Sequence, residues 1–163
     1  MATFNQIKQL RLRIGDPAGV INIIQVSTLE DLPETPRQQT AYYVISTRYY
    51  MQTSLLSGAK PSDYTEINLR ISDEYLQDLI DAYGVEASIC KAYKWIIARL
   101  GNELVLVRNS TGAESTEYQR ILDMLNYYKQ VAKDCTDEYN KSQLNSTGRF
   151  YKSKQPNIAG GNI

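Results

Sequence analysis

Residues 72–108, SDEYLQDLIDAYGVEASICKAYKWIIARLGNELVLVR, decide how the rest of the chain is read. They divide at Gly84 into two helical patterns. In the second, apolar residues recur at Val85, Ile89, Ala92, Ile96, Leu100, Leu104 and Val107, the three-to-four spacing of one helix face. Tyr93, Trp95 and Ile97 widen that face beyond what one neighbour covers, which marks a central helix packed by several partners. In the first pattern Ser72 stands as the N-cap, with Asp73 and Glu74 in the first turn, where the helix dipole favours anions. Leu76, Leu79, Ile80 and Tyr83 face inward. Glu74, Asp78 and Asp81 share the opposite face, a spacing that would suit a divalent ion or acid–base work. A solvated face accounts for them without any ligand, and that reading is kept.

Upstream of this stretch the pattern changes from helical to extended. Glu66–Ile71 (EINLRI) alternates polar and apolar at period two, the clearest strand signal in the chain. Thr40–Thr47 and Val20–Val26 are rich in β-prone residues, and Arg48–Thr53 either extends the first of these or turns out of it. Leu32-Pro33, Thr35-Pro36 and Ser57–Asp63 punctuate loops. Residues 20–71 are therefore expected to form an inserted β-hairpin or small antiparallel sheet. Before it, Phe4, Ile7, Leu10 and Ile14 line one face of a short helix, with Thr3 as its N-cap and Gly15-Asp16-Pro17 as its stop. Gly15–Gly19 is glycine-rich but follows a helix and lacks the Lys-Ser/Thr of a phosphate loop, so it reads as a turn.

Downstream, Arg108–Ala113 is a turn, and Ser115 or Thr111 caps a last helix from Glu114 to Lys141. Its stripe is Tyr118, Ile121, Leu122, Leu125, Tyr128, Ala132, Cys135 and Tyr139. Cys90 and Cys135 both fall on apolar faces and are expected as buried free thiols; a disulfide requires the two helices to pack at that level. From Ser142 the composition turns polar, and the segment holds Pro156 and Gly160-Gly161, so an extended tail is expected. Within it Arg149, Phe150, Tyr151, Lys152 and Lys154 form a basic-aromatic cluster followed by Ile158.

The 18 basic and 18 acidic side chains cancel, so no global field points to nucleic acid or an anionic membrane. No apolar run is long enough for a transmembrane span, and no secretory signal is read. Histidine is absent, which removes the commonest neutral-pH general base and transition-metal ligand. An enzyme, a cofactor and a bound metal are accordingly not expected. Tyrosine outnumbers phenylalanine 13 to 2, a balance suited to half-wet surfaces where a ring packs and its hydroxyl stays solvated. The fold class expected is mainly α: a small helical bundle of about four helices with the β insertion and an extended C-terminal tail. One helical domain spans 1–143 and an extended arm 144–163.

The order of these segments resembles the head–tail connector (adaptor) proteins of tailed bacteriophages. The opening helix ends in Leu12-Arg13-Ile14-Gly15-Asp16, and a variable insertion follows. Ile71-Ser72-Asp73-Glu74-Tyr75-Leu76-Gln77-Asp78-Leu79-Ile80 is like the family's acidic-capped helix. An apolar helix from Glu86-Ala87-Ser88-Ile89-Cys90-Lys91-Ala92, a Ser/Thr/Gly turn and a final helix complete the core. The insertion is longer than in compact members of the family, and the central helix carries fewer alanines.

The resemblance implies a structural protein of the virion neck, present in the host cytoplasm during assembly. Copies would be monomers alone and form a ring of about twelve beneath the portal protein, with heterologous contacts that close by rotation. The ring extends a channel through which DNA slides without specific binding, and it offers the docking surface for neck, stopper or tail proteins. Arg149, Phe150, Tyr151, Lys152, Lys154 and Ile158 would bind the portal or a neighbouring subunit. Tyr42, Tyr43, Tyr49 and Tyr50 of the hairpin would make inter-subunit or tail-side contacts. The alternative is a small nucleic-acid-binding protein that uses the basic-aromatic tail for stacking and phosphate contact.

Overall fold

In the computed structural model the described residues are 1–152, with side chains described as far as Ser142. The fold is mainly α with a small four-stranded sheet. In order the elements are α1 (Phe4–Ile14), β1 (Asn22–Val26), β2 (Thr40–Val44), β3 (Tyr49–Gln52), β4 (Thr65–Glu66), α2 (Asp73–Thr111) and α3 (Thr116–Lys152). Two compact units divide it, Met1–Ala98 and Arg99–Ile163, the division falling within α2.

In the first unit, α1 starts at Thr3 with a reciprocal capping box. Its side chain accepts from the Gln6 N–H while the Gln6 side chain accepts from the Thr3 N–H. Gly15 ends the helix in the left-handed region at φ 67, ψ 38, donating its N–H to the Arg11 carbonyl. Ile7, Leu10 and Ile14 are buried as expected, and Arg11 is buried with them.

The sheet order is β1-β2-β3-β4. β2 pairs antiparallel with β3 and β3 with β4, but β1 pairs parallel with β2, so the expected purely antiparallel sheet or hairpin is corrected to a mixed sheet. Tight turns make antiparallel neighbours, whereas the whole segment 27–39 joins β1 to β2, long enough to carry the chain back to the same end. That crossover covers one sheet face: Leu32 packs with Tyr42, Val44, Met51, Ala59 and Tyr64. On the opposite face Val20, Ile23, Ala41 and Tyr50 form a second cluster with Phe4 and Leu12 of α1 and with Leu69.

The strand expected over Glu66–Ile71 ends after Glu66. Ile67 still donates its N–H to the Tyr50 carbonyl at 2.7 Å. Beyond it, the N–H groups of Arg70 and Ile71 go to the Asp16 carboxylate at 3.0 and 3.1 Å. A side chain has taken the amides that a ladder would have used.

α2 is broken at Gly84, whose φ of 76 and ψ of 166 are not helical, in agreement with the two patterns read in residues 72–108. Among the described residues three α-helices thus stand where about four were expected, the second of them broken. Ser88, buried one turn past the break, donates its hydroxyl to the Gly84 carbonyl at 2.6 Å. Ala92, Tyr93 and Ile96 are buried.

In the second unit Leu100 of α2 and Ile121, Leu125, Tyr128 and Ala132 of α3 are buried, at the expected spacing. Ser115 is the α3 cap, its hydroxyl accepting from the Tyr118 N–H at 3.2 Å. α3 runs to Lys152 rather than stopping near Lys141, so residues 144–152 of the expected extended arm are helical backbone. A nucleated helix gains a hydrogen bond with each added residue. α3 contains no proline, and Gly148 alone opposes propagation by only about 1 kcal/mol. Residues 153–163 lie outside the described residues. Neither cysteine is the free thiol expected; both are disulfide-bonded.

Candidate functional site

The polar centre of the first unit is Arg11, an arginine on the apolar face of α1, four residues after Ile7 and three before Ile14. Its side chain is fully buried. Nε donates to Asp73 Oδ1 at 2.8 Å, Nη1 to Asp16 Oδ2 at 2.9 Å and Nη2 to the Ile71 carbonyl at 2.8 Å. The guanidinium also lies over the Tyr50 ring, 5.0 Å from its centroid. The Tyr50 hydroxyl donates to the Asp73 carboxylate at 3.0 Å. Asp16 therefore receives Arg11 together with the backbone N–H groups of Arg70 and Ile71.

Burial alone would lower the Arg11 pKa, but Asp73, Tyr50 and Asp16 outweigh it and the value rises. Burial pushes the Tyr50 hydroxyl far up; Arg11 opposes this and Asp73 adds to it. Tyr50 is thus a neutral donor and Arg11 a permanent cation. The cluster is a clasp in which all three guanidinium nitrogens are engaged.

One sheet face leads from this clasp to solvent. Tyr43 packs on Tyr50 with ring centroids 4.8 Å apart, and Phe4 stacks on Tyr43 at 4.9 Å. Phe4, Tyr43, Ile45 and Leu69 line a groove of about 540 Å³, with Arg48 and Glu74 also on its walls. Burial raises the pKa of the Tyr43 hydroxyl; Asp73 and Glu74 reinforce this, and Arg48 and Arg11 oppose it. Charges of both signs therefore reach one tyrosine in a groove of mixed apolar and polar lining.

The tyrosines proposed for contacts are split. Tyr42 and Tyr50 are buried within their own unit, which corrects their assignment to an external surface. Tyr42 packs edge-on against Tyr64 and accepts from the Arg37 N–H, while Tyr50 serves the clasp. Tyr49 is 49% exposed and Tyr43 half-buried in the groove, so these two remain available. Arg149, Phe150, Tyr151 and Lys152 sit in the last turns of α3, their side chains outside the described part; Lys154 and Ile158 lie outside the described residues.

Of the carboxylates Glu74, Asp78 and Asp81, Glu74 lines the groove, Asp78 is exposed and Asp81 pairs with the Met1 amine at 3.3 Å. No group of three metal-ligating side chains occurs among the described residues. No helix among them is long and apolar enough to cross a membrane. Sequence reading missed the clasp. Its signal was an arginine in phase with Ile7 and Ile14, followed by an aspartate just past the helix-ending glycine.

No protein-family model, no curated protein and no solved structure matches the chain.

Proposed function

We propose that this chain is a structural virion protein, a head–tail connector whose copies form a ring beneath a portal. The ring extends the DNA channel and gives neck or tail proteins a surface to dock on. In this reading Gly84 divides α2 into two helices of a four-helix core, and the segment after residue 143 reaches the portal or the next subunit.

The observation that carries the reading is the clasp. Residues 12–16 and 71–80 are two of the segments whose order carries the connector resemblance, and they are tied to each other through Arg11, Asp16 and Asp73. The insertion between them starts and ends at one point. Its length can therefore differ without altering the helices on either side, as a variable insertion in a common helical core requires. The open groove beside the clasp supplies a partly apolar, aromatic surface of the kind interfaces use.

The test is co-sedimentation of the purified chain with a candidate portal ring, for full length and for a 1–143 truncation. Stoichiometric binding by full length alone supports the connector role and assigns docking to the C-terminal segment. Binding by both moves docking to the rest of the chain. Binding by neither sinks the reading, and salt-dependent association with single-stranded nucleic acid becomes the next measurement.

A further inference from the structure

Within the first unit the break in α2 is a sharp fold rather than a slight bend. Tyr75 lies before Gly84 and Trp95 after it, yet their ring centroids are 5.7 Å apart. The twenty residues between them would span about 30 Å of an unbroken helix. The arm before the break and the arm after it therefore close toward each other like a jackknife.

The pivot is one residue. Gly84 departs from helical geometry at φ 76 and ψ 166, with helix on either side of it. The Ser88 hydroxyl ties the Gly84 carbonyl to the second arm, so the free joints are the two backbone bonds at the Gly84 Cα. The apex is also open. Residues 81–84 are all exposed, and a Cβ at Gly84 meets nothing within 4 Å. No packing at the apex holds the two arms at one angle.

α1 grips the arms unequally. The first arm starts at the clasp, where the fully buried Arg11 holds Asp73 and Asp16 takes the Ile71 N–H. The second arm is tied to α1 at Arg13. Its Nη1 donates to both Glu86 oxygens at 2.6 and 2.7 Å, and its carbonyl accepts from the Tyr93 hydroxyl at 3.0 Å. The Arg13 and Glu86 side chains are 44% and 72% exposed, so salt weakens this pair far more than it weakens the clasp.

We infer that α2 is a hinge latched by Arg13: the second arm swings away from the first about Gly84 when the Arg13–Glu86 pair is released. Ala92, Tyr93 and Ile96 are buried on the second arm, so the folded-back form is the ground state and the opened form a minor one. A partner that offers Glu86 a cation of its own takes the place of Arg13 and shifts α2 toward the opened form. The hinge does not depend on the connector reading.

Distances between spin labels test it, since both native cysteines are disulfide-bonded and only introduced ones react. Asp78→Cys with Lys94→Cys puts one exposed label on each arm; Gln9→Cys with Asp78→Cys puts one on α1 and one on the first arm. Circular dichroism first establishes that the labelled proteins are folded. At low salt each label pair is expected to give a single distance. In about 1 M salt, where charges are screened within roughly 3 Å, the pair across the hinge should gain a second, longer distance. Glu86→Gln should produce the same change at low salt. The pair on α1 and the first arm should keep its distance throughout. Exchanging the charges, Arg13→Glu with Glu86→Arg, should bring back the single short distance. A hinge pair unmoved by both salt and Glu86→Gln shows a fixed bend and overturns the inference. Lengthening of both pairs overturns it too, because the whole unit has then loosened. A change with salt that Glu86→Gln does not reproduce removes Arg13 as the latch, and the inference with it.

Discussion

Arg11 and Asp73 are 62 residues apart in the chain, yet Nε and Nη2 of one lie 2.8 and 2.7 Å from the same carboxylate oxygen of the other. One residue belongs to the third turn of α1 and the other begins α2. Everything between them is an excursion that returns to its starting point. A buried ion pair of this kind is not a strong net source of stability against an apolar replacement of both partners. Its removal on one side only is costly, because the remaining charge stays buried.

Arg11→Met should therefore destabilise the chain by about 3–5 kcal/mol, leaving Asp16 buried without its cation. Arg11→Lys should recover little of this. One ammonium cannot serve Asp16, Asp73 and the Ile71 carbonyl in the fork geometry of a guanidinium. Urea unfolding of the three proteins decides the matter, and a lysine variant as stable as wild type would show that only the charge counts.

Tyr50 gives the clasp an alkaline limit. Its pKa is raised by folding, so the folded state holds this proton more tightly than the unfolded state does. The stability it contributes is fully present below about pH 10, the unfolded hydroxyl's value, and is lost as pH rises from there toward the folded value. Tm measured from pH 8 to 11 should fall more steeply for wild type than for Tyr50→Phe. The variant should start lower at pH 8, by about 1 kcal/mol for the lost hydrogen bond to Asp73. Parallel slopes would mean that Tyr50 titrates alike in both states.

What the sequence made legible was local. Thr3, Gly15, Gly84 and Ser115 each act on their own turn of backbone, and each is where the residue type put it. What stayed hidden depends on residues far apart. The parallel pairing of β1 with β2 follows from where the 27–39 crossover goes, which no period in either strand encodes. The early end of β4 depends on Asp16, some 50 residues before it, taking the amides of Arg70 and Ile71. Tyrosine count favoured a wet surface, but Tyr42 and Tyr50 find hydrogen-bond partners inside and are buried. The clasp itself was visible only as an arginine on the wrong face.

Two glycines of α2 should respond oppositely to alanine. At Gly84, φ 76 with ψ 166 lies in a region that essentially only glycine occupies, so Gly84→Ala should cost about 1–3 kcal/mol. Gly101 sits in the helix interior, and a Cβ there meets nothing within 4 Å. Gly101→Ala should add roughly 0.5–1 kcal/mol by reducing the freedom of the unfolded chain. Thermal melts of both variants test the break directly. A Gly84→Ala protein more stable than wild type would mean that α2 runs straight through position 84.

Asp16 should matter more than Asp73, although both bind Arg11. Asp16 is buried and takes three donors on two oxygens, whereas the Asp73 side chain keeps 24% of its surface in water. In Asp16→Asn the amide has one acceptor oxygen, and its NH₂ must face a backbone N–H or the guanidinium in either orientation. The expected loss is about 3–5 kcal/mol, the cost of breaking a buried pair. Asp73→Asn should lose less, since water can solvate what the amide leaves unmatched. A local readout separates the clasp from general damage: hydrogen exchange at the Arg70 and Ile71 amides should quicken in Asp16→Asn and stay near wild type in Asp73→Asn. Equal protection of those two amides in both variants would mean that Asp16 does not hold the end of the insertion.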